Sequence, residues 1–295
     1  MSFKLLLLFS IVLTLNISYA DSVSIYEEND VLWGVDGFYS QGLQLAYLNT
    51  NNWGLRIGQL IYTPSNKDSD QPQYGDRPYA GYSSLTFFKD YYRDNNAIDS
   101  FEIGSGIVGP YSGGEWCQTE IHKLIKSAPP QGWKYQIYTE PIIQLAYYRT
   151  YSIFLNKYME YRPLGGVNLG NALTDAELGT TVRAGYNIPK RFDPIIRVSA
   201  SPFDEHKSIM DQMFGYGFIG VKGKLIARNI FLDGNTFRES IVTVDKVPLV
   251  ADFYIGASIG LKYVELTYTH VERSQEFYTQ TRANRFDSIQ VTYNF

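Results

Sequence analysis

His122 is one of only 3 histidines in the chain, and Gln118 stands four residues before it. Over Gly114–Ser127 the apolar residues Ile121, Leu124 and Ile125 recur at helical spacing, and Pro129-Pro130 end the run, so a short helix is predicted there. Residues four apart share a helix face, so the amide and the imidazole would point the same way. A neutral imidazole can take a proton from water. Elsewhere, Glu28-Asn29-Asp30 offers two carboxylates and an amide, Ser40 a hydroxyl, and Lys67 and Arg77 cations suited to anionic phosphate groups. Each has a plainer reading. Asn29-Asp30 are common turn residues, Ser40 a common lumen-lining hydroxyl, Lys67 and Arg77 ordinary headgroup-facing charges, and Cys117 a small buried filler. A lone histidine is itself more often a bland polar residue than a base. The single cysteine excludes an internal disulfide and a thiolate-rich metal site, and no Gly-x-Ser-x-Gly elbow occurs.

The elements that must position these residues show a period of two. In Gly42–Leu48, Leu43, Leu45 and Tyr47 alternate with Gly42, Gln44 and Ala46. In Glu177–Ile188, Leu178, Val182 and Tyr186 oppose Glu177, Thr181 and Arg183, and in Gly217–Arg228, Ile219, Val221 and Leu225 oppose Lys222, Lys224 and Arg228. Successive strand side chains point to opposite faces, so each run carries one apolar and one polar face. Full charges recur on the polar face, as a hydrated lumen would allow, and the runs are long enough to cross a bilayer at a tilt. The chain ends Ile289, Val291, Tyr293, Phe295 in alternation with polar residues, like the terminal strand of an outer-membrane barrel. The expectation is an all-β fold: a transmembrane antiparallel β-barrel of about twelve strands, with a short helix in an extracellular loop.

The predicted strands lie near 22–29, 40–49, 53–62, 79–91, 98–108, 135–150, 157–168, 175–188, 215–231, 249–261, 263–273 and 284–295. An even count puts both ends on the periplasmic side, with long loops 30–39, 63–78, 109–134 and 232–248 outside. Asp30, Asn29, Ser40, Lys67, Arg77 and the His122 helix then gather at the extracellular rim. Ser40 shares the parity of Gln44 and is expected to face the lumen. Residues 189–214 fit badly as a long periplasmic link, within which Ile195–Ser201 reads as a possible extra strand.

Residues 1–20 read as a signal peptide: Lys4, then apolar Leu5–Leu15, then Ser18-Tyr19-Ala20 for cleavage before Asp21. Residues 21–295 read as one barrel domain in the outer membrane of a Gram-negative bacterium. Net charge is −4, and no basic stretch suggests nucleic acid. With nothing to assign an oligomeric state, a monomer among outer-membrane lipids is the expectation. The 25 Tyr and 17 Phe suit strands and membrane interfaces.

The spans Glu28-Asn29-Asp30, Tyr39-Ser40-Gln41-Gly42-Leu43, Gly75-Asp76-Arg77-Pro78-Tyr79-Ala80-Gly81 and Gly106-Ile107-Val108-Gly109-Pro110 with Gln118-x-x-x-His122 resemble those of the lipid A 3′-O-deacylase family. The likeness covers nearly the whole mature chain. Its most specific part is the Gly-Ile-Val-Gly-Pro segment followed by Gln-x-x-x-His. Ser40 departs from a threonine of a close relative but keeps the hydroxyl. The resemblance implies a twelve-stranded outer-membrane barrel and calcium-dependent hydrolysis of the ester carrying the 3′-acyloxyacyl group of lipid A in lipopolysaccharide. It implies His122 as base and Asp30 as its acidic partner or a metal ligand, with Asn29, Ser40, Lys67 and Gln118 around the site. On the chemistry, Asp30 with Glu28 suits a hard cation such as Ca2+, because histidine- or thiolate-rich sets are absent. Lys67 and Arg77 suit the substrate phosphates. Direct water attack is favoured over a serine acyl-enzyme. His206-x-Ser208 resembles the His and Ser of an outer-membrane phospholipase, but sits in the ill-fitting link. The rival readings are a narrow porin or structural barrel, and a phospholipase A.

Overall fold

The computed structural model describes residues 21–30, 37–93, 96–189, 195–196, 202–203 and 213–295. The leader 1–20 and His206-x-Ser208 lie outside the described residues. The strands run β1 (Ser22–Asn29), β2 (Phe38–Leu48), β3 (Trp53–Thr63), β4 (Ala80–Tyr92), β5 (Ala97–Val108), β6 (Glu140–Tyr151), β7 (Ile153–Asn156), β8 (Met159–Gly170), β9 (Leu173–Tyr186), β10 (Ile195–Ile196), β11 (Pro202–Phe203), β12 (Phe214–Asn229), β13 (Leu249–Leu261), β14 (Val264–Arg273) and β15 (Asn284–Asn294). Twelve of them close one antiparallel barrel, in the order β6-β5-β4-β3-β2-β1-β15-β14-β13-β12-β9-β8, with β8 returning to β6. The hairpin strand β7 pairs with β8 beyond the wall, and β10 pairs only with β11. Of the extra strand expected at Ile195–Ser201, the described residues hold only the two of β10.

The alternation settles which way each side chain points. Leu43, Leu55, Ile57, Leu85, Phe87, Phe101, Ile103, Leu178, Ile219, Val221, Ile289 and Val291 are exposed on the outer face. This apolar belt surrounds a lumen filled with paired charges. Arg56 meets Glu102 at 2.8 Å, Lys224 meets Asp252 at 2.9 Å, and Arg273 meets Asp252 at 2.7 Å. Arg183 also pairs with Glu160. A buried charge is tolerated only when paired and hydrogen-bonded, so these contacts let a polar lumen exist at almost no exposure. A lumenal cavity beside Gln44, Arg56, Tyr82 and Glu102 holds about 30 Å³, room for water.

Turn chemistry explains the end that carries the termini. Asn49 accepts bonds from Asn51 and Trp53 N–H through its side-chain oxygen, and Asn52 takes φ 59°, which asparagine tolerates better than most residues. The link between β9 and β12 leaves and returns at this same end, since Tyr186 pairs with Gly215. The opposite rim carries the long connections between β3 and β4, β5 and β6, β12 and β13, and β14 and β15. The strand predicted from 135 begins only at Glu140, because Trp133–Tyr135 form a 3-10 turn before the chain joins the sheet.

Candidate active site

The predicted loop helix is present as Gly114–Ile125, and it lies on the outside of the barrel. The Ser112 carbonyl just before it accepts bonds from Gln59 Nε2 at 2.9 Å and Ser83 Oγ at 2.8 Å. Gln59 shares the parity of outward Leu55 and Ile57, and Ser83 that of outward Leu85 and Phe87. Gly81 and Gly114 make this docking possible: a Cβ on Gly81 would sit 2.8 Å from the Gly114 Cα. The helix stops where Lys126 takes the left-handed conformation and Ser127 N–H caps the His122 carbonyl at 2.9 Å.

The apolar stripe read from the sequence does not pack inward. Leu124 is 82% exposed and Ile125 58%, while the buried positions are Gly114, Gln118 and His122. The side turned to the barrel carries Gln118 and His122 beside Cys117, and the outward side carries Leu124 and Ile125 together with Glu120 and Lys123. The pairing of Gln118 with His122 on one face stands.

Two side chains of that face are held by the segment that follows the helix. His122 Nδ1 lies 2.6 Å from the Ala128 carbonyl. A carbonyl only accepts, so Nδ1 carries a proton, and in the neutral imidazole Nε2 keeps its lone pair. The indole N–H of Trp133 donates to Gln118 Oε1 at 2.9 Å. Indole is donor-only, so the amide oxygen must face it, and the amide NH2 is turned away from Trp133. Trp133 is itself packed against Tyr79, with ring centroids 5.1 Å apart, and against Ile61 and Cys117. Cys117 is thus the filler expected of it. Burial raises its thiol, and the nearby Glu27 charge raises it further.

Beside the β3 and β4 wall on which the helix rests, β1 and β2 carry further outward polar side chains. Outward Gln41 donates from Nε2 to outward Glu27 Oε1 at 3.0 Å, and Asn29 pairs with Gln41 in register. Ser40 does not follow the lumen parity. Tyr39 pairs with Tyr62 and Gln41 with Ile61, which leaves Ser40 as the extra residue of a β-bulge. The bulge turns its hydroxyl onto Thr63 Oγ1 at 2.6 Å, and Thr63 has the parity of outward Ile57. Asp30, just past β1, is fully buried. Its Oδ2 accepts from Gly37 N–H at 2.7 Å and its Oδ1 has no partner among the described residues. Burial pushes the Asp30 carboxyl up to about 7, against the pull of Gly37 N–H and the charges of Lys67 and Arg282. Burial lowers half-buried Lys67, and Asp30 and Asp68 oppose that.

Two residues are not brought to this site. Arg77 is fully buried, pairs with Glu276 at 3.2 Å and lies over the Tyr62 ring at 4.5 Å, so its guanidinium pins the rim loops and is out of reach of a substrate phosphate. Glu28 turns to the lumen and accepts from the Tyr39 phenol. Glu27 and Gln41 were missed as site residues. Their signal was present as two polar residues at outward positions of β1 and β2, beside Ile25 and Leu43.

The model of the family described as outer membrane protein LpxR matches residues 3–295. The chain belongs to the LpxR family. That makes it an outer-membrane protein of a family that modifies lipid A. The solved LpxR from Salmonella typhimurium has the same fold, with TM-score 0.83 and 23% identity over 93% of this chain and all of that one. Other barrels resemble it far less. The β domain of the Bordetella autotransporter BrkA gives a TM-score of 0.43 at 10% identity over 94% of this chain and 98% of its own. The KdgM porin gives 0.40 at 9% over 93% and 99%. No curated protein matches.

Proposed function

We propose that this LpxR-family barrel hydrolyses the ester that carries the 3′-acyloxyacyl group of lipid A. The observation that carries the reading is the His122 tautomer. Its Nδ1 is tied to the Ala128 carbonyl, which leaves Nε2 as a base on the outer wall. A lumenal base could not reach a lipid ester, whereas this one stands beside the belt where acyl chains lie. Leu43 and Ile25 extend from Gln41 and Glu27 down that wall as an apolar track.

In the reaction, water attacks the ester carbonyl carbon and gives its proton to His122 Nε2. The carbonyl becomes an oxyanion, which the Gln118 amide N–H is oriented to receive. The bond to the sugar oxygen breaks, His122 returns the proton to that oxygen, and a free acid leaves. Ser40 and Asn29 lie on the neighbouring wall, and Lys67 supplies positive charge for a phosphate. Asp30 fits a Ca2+ ligand because its buried Oδ1 lacks a partner among the described residues, and such an ion would polarise the ester carbonyl. Among the described residues no group of three or more acidic, His or Cys side chains could hold a metal, so carbonyl and water oxygens would complete its shell. The packed, ion-paired lumen speaks against a porin.

Mass spectrometry of lipid A incubated with refolded protein tests the proposal. Calcium-dependent loss of an acyloxyacyl-sized mass, abolished in His122→Ala, is the expected result. Folded protein that leaves lipid A intact but cleaves phospholipid would establish the phospholipase reading instead.

A further inference from the structure

The barrel's outer face carries a second polar cluster that continues the site. Asn29 pairs with Gln41 on one side and with Asp287 on the other, and Asp287 pairs with His270. All four have outward parity, so they form one unbroken polar row across β2, β1, β15 and β14. At sheet spacing the row is about 14 Å long. Two residues further down each strand Glu27 is the one charged group, and four residues down the row Leu45, Ile25, Val291 and Leu266 is wholly apolar. Polar residues on a lipid-facing wall are costly unless they have a function or a partner.

The far end of the row is built around Asp287. Its Oδ1 accepts from the Tyr268 phenol and lies 3.1 Å from His270 Nδ1. Its Oδ2 is buried and has no hydrogen-bond partner among the described residues. Beyond it, His270 Nε2 lies 3.9 Å from Glu272, and Glu272 pairs with Arg285 at 2.8 Å. A carboxylate flanked by a phenol, an imidazole and a guanidinium–carboxylate pair is donor- and acceptor-rich. It suits the hydroxyls and amides of a sugar better than an isolated anion, because two carboxylates are present.

We propose that His270 and Asp287 form a subsite for the amino-sugar headgroup of the lipid substrate, with the partly exposed His270 imidazole meeting a sugar hydroxyl or amide and Asp287, 3.1 Å from its Nδ1, positioning the ring. The inference rests on the deacylase reading and adds where the headgroup lies. The sugar extends along the row from Asn29 to His270, while the acyl chains run down the apolar wall beneath it.

The test compares Asp287→Asn, His270→Gln and wild type on two substrates in the same detergent micelles. One is lipid A, and the other is a methyl ester of a 3-acyloxyacyl acid with no sugar. Folding is followed by heat-modifiable gel migration. The subsite predicts that KM for lipid A rises about tenfold in each variant, with kcat within about twofold and the sugar-free ester unaffected. If Asp287→Asn fails to fold, His270→Gln and Tyr268→Phe decide the matter. An unchanged KM for lipid A in the folded variants, or equal losses on both substrates, overturns the subsite alone. Wild type inactive on lipid A overturns the deacylase reading and the subsite with it.

Discussion

Trp133→Phe separates orientation from chemistry at the site. The substitution keeps an aromatic ring against Tyr79 and removes only the indole N–H and part of the ring. The lost bond is the 2.9 Å contact to Gln118 Oε1, made between two side chains that are both almost wholly buried. Without it that oxygen is left unsatisfied, which costs about 1–3 kcal/mol, and the amide relieves the cost by rotating toward any other donor. Rotation presents oxygen instead of NH2 to the oxyanion. Full removal of one oxyanion donor costs about 10²–10³ in kcat, and a partly misoriented donor should cost less, about 10–100-fold. KM should stay within about twofold, since the ground-state ester carries little charge there. The assay is initial-rate deacylation of lipid A followed by mass spectrometry, with Gln118→Ala and the double variant alongside. If Trp133 acts through Gln118, the double variant is no slower than Gln118→Ala alone. Multiplicative losses, or an unchanged kcat in Trp133→Phe, would refute the argument.

His122→Ala should insert and show normal heat-modifiable migration while losing about 10²–10⁴-fold in kcat; residual activity above that range in a folded variant would remove the imidazole from the mechanism. Arg77→Gln should lower stability by about 1–3 kcal/mol, because Glu276 loses one charged partner but keeps Arg273 at 3.3 Å, with KM for substrate unchanged; a selective rise in KM would restore Arg77 as a phosphate contact. Calcium and a proton should compete at Asp30. Its carboxyl, held up at about 7 by burial, is increasingly protonated below that pH, so the apparent calcium Kd should rise about tenfold per pH unit below about 7 and level off above it. A calcium affinity independent of pH between 5 and 7, measured by titration calorimetry at about those values, would remove Asp30 from the ligand set.

Much of the barrel was legible because a closed sheet imposes one rule on every strand. Glu177 and Lys222 must face inward if Leu178 and Val221 face out, and the sequence states that alternation directly. What parity could not convey was any departure from it. Ser40 looked lumenal by counting from Gln44, but one inserted residue in β2 carries it to the other face. The helix is visible from its spacing, yet the side of the wall on which it docks, which leaves Leu124 and Ile125 exposed, is set by Gly81 and Gly114, two residues without side chains. Arg77 and Lys67 looked alike as loop cations. Only the distant Glu276, 199 positions along the chain, distinguishes the structural one.

A site on the outer wall changes how a lipid would arrive. An enzyme with a lumenal site would have to lift each acyl chain out of the bilayer, at about 0.8 kcal/mol per CH₂ moved into water. On the proposed deacylase reading the chains never leave hydrocarbon. Encounter becomes a search in two dimensions, set by surface density in the outer leaflet and by lateral diffusion past one sector of the wall. The released acid remains beside the barrel in the same plane. Turnover in a membrane should therefore respond to how closely lipids are packed and how fast they exchange neighbours, and the barrel can remain a solid post whose interior takes no part.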